Sequence, residues 1–381
     1  HPELVNKVAT AALGASPGEI PSYVARLKNH RQKIIPRLQE MMASAKTPAS
    51  ERLRAGSILA MWDTNISAWN ENAARHLTEA LVELNAVELG PWLKLVDPAG
   101  EALGPLLVQI IGLGTADHAS LSENAKAESA ARVMAGIKVD PISLARAITV
   151  GSERTFGILA AKVRQESGEL ALPLGEIARL DPLEGQAVGL SLANLLAPEI
   201  ASLANLTRKM AAEREQRCQK AAKAISALAF LGLPEKLWEA LENIDHPDLQ
   251  AEIRRISIAF RIPPDALGKR YLEAHRKNKS RYNILILLGQ YSLKSLSDSL
   301  KKSLVSKLES DYSQDDDPGI HGAIHWLGSR WGIGDKLAAM DSQAACVLPP
   351  PELSKSWRVN SIGNVMVHVR PGATFDMGSG P

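Results

Sequence analysis

The sequence has few cysteines, few aromatic residues and almost no net charge, and each shortage excludes a class of protein. Its 381 residues contain two cysteines, Cys218 and Cys346, too few for a disulfide framework, so a reducing compartment is expected and we predict a cytoplasmic location. Basic and acidic residues nearly cancel at a formal net charge of +2, which predicts no nucleic-acid partner. No apolar run reaches the ~20 residues of a membrane-spanning helix, so we expect no membrane partner.

The sequence also lacks a recognisable catalytic constellation. The pairs Gly112-Leu113-Gly114 and Gly332-Ile333-Gly334 follow helical patterns rather than strands, which favours C-terminal helix caps over phosphate-binding loops. We therefore expect no catalytic residue and no cofactor in this chain.

Amphipathic helical periodicity is what the sequence has in abundance. Apolar residues make up 45% of the chain and recur at spacings of three and four, as in Glu3–Leu13 and Ser50–Trp62. The segment Ser22–Met42 has the same pattern, with an expected interruption near Pro36. Short connectors that contain proline separate these segments. The pattern predicts an all-α fold of short, similar helices over residues 1–345.

Two internal similarities indicate how the helices are arranged. The segment Ile34–Gln39 matches Leu103–Val108, with Pro36 opposite Pro105. A second match, at a constant offset, aligns Phe156, Ile158 and Leu159 with Tyr282, Ile284 and Leu285. Similar helical hairpins in succession favour an α-solenoid of HEAT-like hairpins over an irregular helical fold.

The composition changes after residue 345. Residues 346–356 contain three consecutive prolines and read as an extended linker. In Trp357–Val369 the periodicity switches to two, with valines alternating and Gly363-Asn364 supplying a turn, which predicts a short β-hairpin. The predicted organisation is a helical region over 1–345, a linker over 346–356 and the truncated start of a further domain over 357–381.

The final residues carry a family resemblance. The spacing Trp357-x-Val359-Asn360, Gly363-x-x-Met366-Val367 and Pro371-Gly372-x-x-Phe375-x-Met377-Gly378-Ser379 resembles the opening of a formylglycine-generating-enzyme, or sulfatase-modifying-factor, domain. His368-Val369-Arg370 departs from the usual pattern. Asp317–Gly332 also resembles the helical region that leads into this domain in bacterial multidomain proteins of planctomycete type, in which a Ser/Thr kinase-like module can come first. The resemblance implies that the chain, which begins at His1, is a piece of a longer protein. The catalytic cysteines and metal ligands of that family would lie downstream, and no residue here matches them.

His321 and His325 are the metal-binding candidates. They lie four residues apart on a predicted helix, so both imidazoles share one face. Gly322 stands where a zinc protease has its glutamate, no third ligand is apparent, and an ordinary helix that begins at Asp317-Pro318 explains the segment better. We therefore predict no metal site. The acidic run Asp311–Gly319 lacks the spacing of a calcium loop, and the basic run His275–Tyr282 reads as an exposed turn.

Large aromatic residues in the helical region are the candidates for a partner surface. If they lie exposed on one face they would mark a protein-binding groove, whereas the alternative is that they wedge between adjacent helical hairpins. The candidates are Trp62, Trp69, Trp92 and Trp238, with Trp326 and Trp331 in the same class. We predict a non-catalytic scaffold that binds a protein partner or neighbouring domains. Two alternatives stay open: part of an enzyme that has a missing domain, and an autonomous helical binding protein whose β-tail pairs with a partner's sheet.

Overall fold

The fold was obtained as a computed structural model. It describes residues 2–44, 46–62, 71–115, 119–179, 197–243, 246–345, 357–359 and 365–367. This part of the chain is helical apart from one pair of short strands, which confirms the predicted all-α class. The chain divides into two compact units, His1–Leu233 and Pro234–Pro381.

In its described residues the first unit is made of helices, several of which are joined by short turns. They are α1 (Pro2–Gly14), α2 (Ile20–Leu27), α3 (Arg31–Ala43), α4 (Ala49–Trp62), α5 (Glu71–Val82), α6 (Ala86–Val96), α7 (Gly100–Leu113), α8 (Leu121–Gly136), α9 (Pro141–Val150), α10 (Glu153–Gln165), α11 (Ser167–Ala178) and α12 (Ala197–Phe230).

The second unit contains further helices and the strand pair. Its elements are α13 (Glu235–Glu242), α14 (Pro247–Ile256), α15 (Pro264–Glu273), α16 (Ser280–Leu288), α17 (Asp298–Gln314), α18 (Pro318–Trp331), α19 (Gly334–Ala345), β1 (Trp357–Val359) and β2 (Val365–Val367). The strands are antiparallel, with Trp357 opposite Val367. The predicted linker, residues 346–356, lies outside the described residues.

Local sequence explains where several helices begin and end. At the start of α8, Ser120 and Glu123 form a capping box: each side chain bonds the other residue's backbone N–H. At the start of α18 the Asp317 carboxylate accepts a bond of 2.7 Å from the Gly319 N–H, as predicted. The same helix ends at Gly332, whose φ of 75° is left-handed and favours glycine.

The expected interruption at Pro36 is wrong. Helix α3 continues through Pro36, and the break lies earlier, in a single 3-10 turn at Lys28–His30. Pro36 is the sixth residue of α3, close enough to the N-terminus that the missing N–H costs only one early helical hydrogen bond. Pro105 has the same place, sixth in α7, and α7 also follows a 3-10 turn, Asp97–Ala99.

Packing in the middle of the first unit brings α5, α7 and α8 together. Helix α7 packs against both α5 and α8, and α5 also contacts α8. The apolar faces meet in a fully buried core that includes Leu77, Leu81, Leu103, Leu107 and Ile111. Because this core holds the three helices in fixed positions, it also fixes the shape of the surface that they present to solvent. None of the helices in the described ranges combines the length and apolar character needed to cross a membrane.

Candidate functional site

A groove of about 330 Å³ lies on the surface of the first unit, between α5, α7 and α8. It is lined by Arg75, Thr78, Glu79, Val82, Glu83, Leu106, Gln109, Ile110, Leu113, Glu123 and Lys126. Most of its exposed wall is apolar, with charged side chains at the edge. Such a combination is typical of surfaces that bind another molecule.

The apolar wall comes mainly from the last two turns of α7. Leu106 and Val82 are buried, Ile110 is half-buried, and Leu113 has 61% of its surface exposed. Leu113 is the last residue of α7 and lies beside α8, so its exposed side chain contributes to a concavity rather than standing alone on a convex surface.

Gly114 sets the narrow spacing between α7 and α8 at this point. A Cβ at Gly114 would overlap the Ala127 side chain and the Glu123 carbonyl oxygen. Glycine therefore allows the end of α7 to approach α8 closely, and this approach places Leu113 next to Glu123 and Lys126. The expectation that Gly112-Leu113-Gly114 ends a helix is confirmed, since Gly114 is the C-terminal cap of α7.

The edge of the groove is charged. Glu79 in the last turn of α5 and Glu83, the first residue after that helix, are both exposed. On α8, the Glu123 carboxylate accepts bonds from the Ser120 backbone N–H at 2.7 Å and hydroxyl at 2.8 Å, and these bonds hold the pKa of Glu123 below its usual value. Lys126 and Arg75 complete the edge, which thus has three carboxylates and two cations.

The residues that line the groove are suited to binding another molecule through contacts. The only hydroxyl among the lining residues is that of Thr78, which is buried and donates to the Ala74 carbonyl oxygen at 2.8 Å. Its proton is committed to the helix backbone, and no histidine or cysteine lies among the lining residues to activate it. Contact with apolar and charged groups is what the lining supports.

The second unit contains a buried ionic cluster centred on Arg281, a residue predicted from its basic neighbours to lie in an exposed turn. That prediction is wrong for Arg281, which is 1% exposed. Its guanidinium contacts the Asp311 carboxylate at 2.9 Å and the Asp315 carboxylate at 2.7 Å, so it is neutralised by one carboxylate in the last turn of α17 and one directly after that helix.

Tyr271 and Lys307 complete this cluster. The Tyr271 hydroxyl donates to Asp311 at 2.9 Å, and Lys307 contacts the other Asp311 oxygen at 2.7 Å. Burial, together with the nearby Asp311 carboxylate, raises the pKa of Tyr271 well above its ordinary value, so the hydroxyl remains a donor. The cluster joins α15, α16 and α17 inside the unit, and its role is structural.

The two histidine candidates have different surroundings. His321 is buried, with its ring centroid 4.0 Å from that of Tyr312 and 3.9 Å from that of Trp357, and its Nδ1 lies 2.9 Å from the Tyr312 carbonyl oxygen. His325 is exposed. Within the described ranges, no three residues of the metal-ligating types are placed to hold an ion together.

None of the three candidate tryptophans that the structure describes lines the groove. Trp92 is 6% exposed and packs inside the first unit, where the Arg54 guanidinium lies 6.0 Å from its ring. Trp62 is half-buried in the same unit, and Trp238, in the second unit, is half-buried with Arg270 over its ring at 5.6 Å. Trp69 lies outside the described residues.

The groove residues were missed at the sequence level, although two signals were present. Glu79 and Glu83 stand one helical turn apart with the same charge, an arrangement that does not stabilise an isolated helix. Leu113 lies between two glycines at a helix end. Neither signal shows that α5 and α7 are neighbours, which only packing decides.

No protein-family model, curated protein or solved structure matches this chain.

Proposed function

We propose that this chain is a non-catalytic interaction scaffold whose groove between α5, α7 and α8 binds a segment of another protein or of a neighbouring domain. The observation that carries the proposal is the exposure of Leu113, 61%, within a concave and mainly apolar wall. Exposed apolar surface in a concavity gains free energy when a partner covers it. Such a scaffold has no need of a cofactor.

Contacts between helices within each unit support a repeat-like scaffold of the α-solenoid type. Among the described residues, the principal helix contacts join elements at most three places apart along the chain, such as α1 with α4, α7 with α9 and α16 with α18. Contacts between near neighbours alone are typical of solenoids. The equivalent positions of Pro36 and Pro105 add a repeated local feature.

The second repeat match is weaker in the structure. Phe156 in α10 is fully buried, whereas Tyr282, its counterpart in α16, is 45% exposed. Leu159 and Leu285 are buried alike. HEAT-like character therefore rests on the neighbour contacts and on the proline pair.

A photo-cross-linking experiment tests the proposal. A benzoylphenylalanine at position 113 should capture a discrete protein partner in a lysate of the source cells, and one at position 172 should not. Leu172 is the control because it is 74% exposed, is also apolar and does not line the groove. The captured partner, once purified, should bind the chain directly, and Leu113→Asn should weaken that binding at least five-fold while Leu172→Asn leaves it unchanged. Equal binding by both variants would exclude the groove.

A second candidate, a role within a larger enzyme, rests on the C-terminal resemblance. The one structural observation in its favour is Trp357, which opens the family-like spacing and is buried, with its indole N–H donating to the Asp315 carbonyl oxygen at 3.0 Å. We infer that this contact fastens the start of a following domain to the helices. An intact native mass of 41.0 kDa would contradict this candidate. The scaffold is expected in the cytoplasm in either case.

A further inference from the structure

Two carboxylates at the edge of the groove, Glu79 and Glu83, form no ion pair within the part of the chain that the structure describes. Glu79 lies in the last turn of α5 and Glu83 directly follows that helix, four positions later, and both line the groove with Val82. Like charges at this spacing repel each other and weaken the helix. An apolar wall beside two uncompensated carboxylates is a surface whose complement is apolar and basic.

The other charges at the edge leave this acidic side in place. The Glu123 carboxylate is held by Ser120 in the capping box, so it faces its own helix start. Lys126 lies on α8, across the groove from α5, and Arg75 lies one turn before Glu79. The edge of the groove formed by Glu79 and Glu83 is therefore acidic, whereas the opposite edge, on α8, has the cation Lys126.

We propose that the groove binds an amphipathic helix of a partner protein that carries Lys or Arg next to its apolar face. The apolar side chains contact Ile110 and Leu113, and the cations contact Glu79 and Glu83. This inference rests on the proposed function, since it names the class of partner for the same groove. A volume of about 330 Å³ admits a few side chains rather than a folded domain, which matches a helix docked through its anchor residues.

The test uses a defined probe. A fluorescein-labelled 14-residue peptide built only from Leu and Lys in a helical pattern is titrated with the chain at low salt, beside a peptide in which every Lys is Glu. The Lys peptide should bind at least ten-fold more tightly, and the difference should shrink as salt is raised, because exposed charges are screened. Equal affinity of the two peptides would overturn the inference.

Charge-reversal variants then test whether the preference for the Lys peptide depends on Glu79 and Glu83. Glu79→Lys combined with Glu83→Lys should reverse the preference, so that the Glu peptide binds more tightly. The matched control is Glu213→Lys combined with Glu215→Lys, which makes the same charge change at two exposed positions of α12. If the control reverses the preference equally, net charge rather than the groove is responsible and the inference is wrong.

The remaining variant separates this inference from the proposed function. Leu113→Asn should weaken binding of the Lys peptide at least five-fold. If Leu113→Asn weakens binding but the Glu79 and Glu83 changes have no effect, the groove binds protein without the basic requirement, and only the partner class is wrong. If cross-linking at position 113 also fails to capture a partner, the proposed function is wrong as well.

Discussion

At the residue scale, Arg281 is the clearest case of a side chain whose role depends on its neighbours in space. Its neighbours in sequence, HRKNKSRY, are basic and polar, and its carboxylate partners lie about 30 positions later in the chain. Burying an arginine costs several kcal/mol unless opposite charges meet it, and Asp311 and Asp315 do so. The pairing stabilises the contact between α16 and the segment around the start of α18.

Replacing Arg281 with methionine should be strongly destabilising. The change leaves Asp311 and Asp315 buried with fewer counterions, and we expect the free energy of unfolding of the second unit to fall by about 3–5 kcal/mol. Urea denaturation measures the loss. Arg255→Met serves as the control, because the Arg255 side chain is 56% exposed and a solvent-exposed ion pair is worth less than about 1 kcal/mol. Similar losses for the two variants would contradict a buried cluster.

Tyr291 should make the second unit sensitive to alkaline pH. Burial raises the pKa of Tyr291 to about 12, while the unfolded value is near 10. Between these values the unfolded state binds fewer protons, so stability is complete below pH ~10 and falls as pH rises toward 12. Partial exposure limits the loss to the order of 1 kcal/mol.

The Tyr291 contribution is isolated by difference. Unfolding free energies of the wild type and of Tyr291→Phe, measured from pH 9 to pH 12, should converge as pH rises. Phenylalanine loses the 3.0 Å bond to the Ser257 carbonyl oxygen at every pH but has no proton to release. Parallel curves would show that Tyr291 does not titrate in this range.

At the element scale, α8 shows that local sequence determines where a helix begins, whereas packing determines where it lies. Its start is coded locally, since Ser120 and Glu123 have the spacing of a capping box and form one. The position of α8 relative to α7 depends on packing instead, because Gly114 and Ala127 set how closely the two helices approach each other. The first turn of α8 forms one wall of the groove, so the cap also stabilises the candidate site.

Ser120→Ala should therefore affect both stability and the groove. Loss of the cap costs about 1 kcal/mol of unfolding free energy and frays the turn that holds Glu123. Chemical denaturation measures the first effect, and faster amide hydrogen exchange at Glu123 and Asn124 reports the second. Ser167→Ala is the control, because Ser167 begins α11 without acting as its cap. Unchanged exchange at Glu123 would contradict the capping role.

At the scale of the whole molecule, the chain has two compact units, and the candidate groove and the Arg281 cluster lie in different ones. Each unit has its own buried apolar core, for example Leu77 and Leu107 in the first, and Leu285 and Leu304 in the second. Units with separate cores generally unfold as separate cooperative blocks.

Two unfolding transitions are thus expected in urea. Ser120→Ala should shift only the transition of the first unit, and Arg281→Met only that of the second. Hydrogen exchange followed by mass spectrometry assigns each transition to its residues. A single transition that both variants shift together would show that the chain unfolds as one block.

Much of the architecture was predictable because it depends on local patterns. Helical periodicity gave the all-α class, and the caps at Asp317 and at Gly332 lay where their residue types placed them. The predicted interruption at Pro36 was wrong, since periodicity does not show that a helix tolerates proline near its start. The prediction that Arg281 is exposed was wrong because its neighbours in sequence are basic, while the two carboxylates that pair with it are distant in sequence.

The sequence by itself determined which segments are helical and where several helices begin and end, because these features depend on residues within a few positions of one another. Tertiary structure alone decided that α5, α7 and α8 meet, that Leu113 stays exposed in the resulting groove, and that Arg281 is buried. The physical reason is that exposure and ion pairing depend on which apolar faces pack together, and many alternative pairings of similar amphipathic helices satisfy the same periodicity.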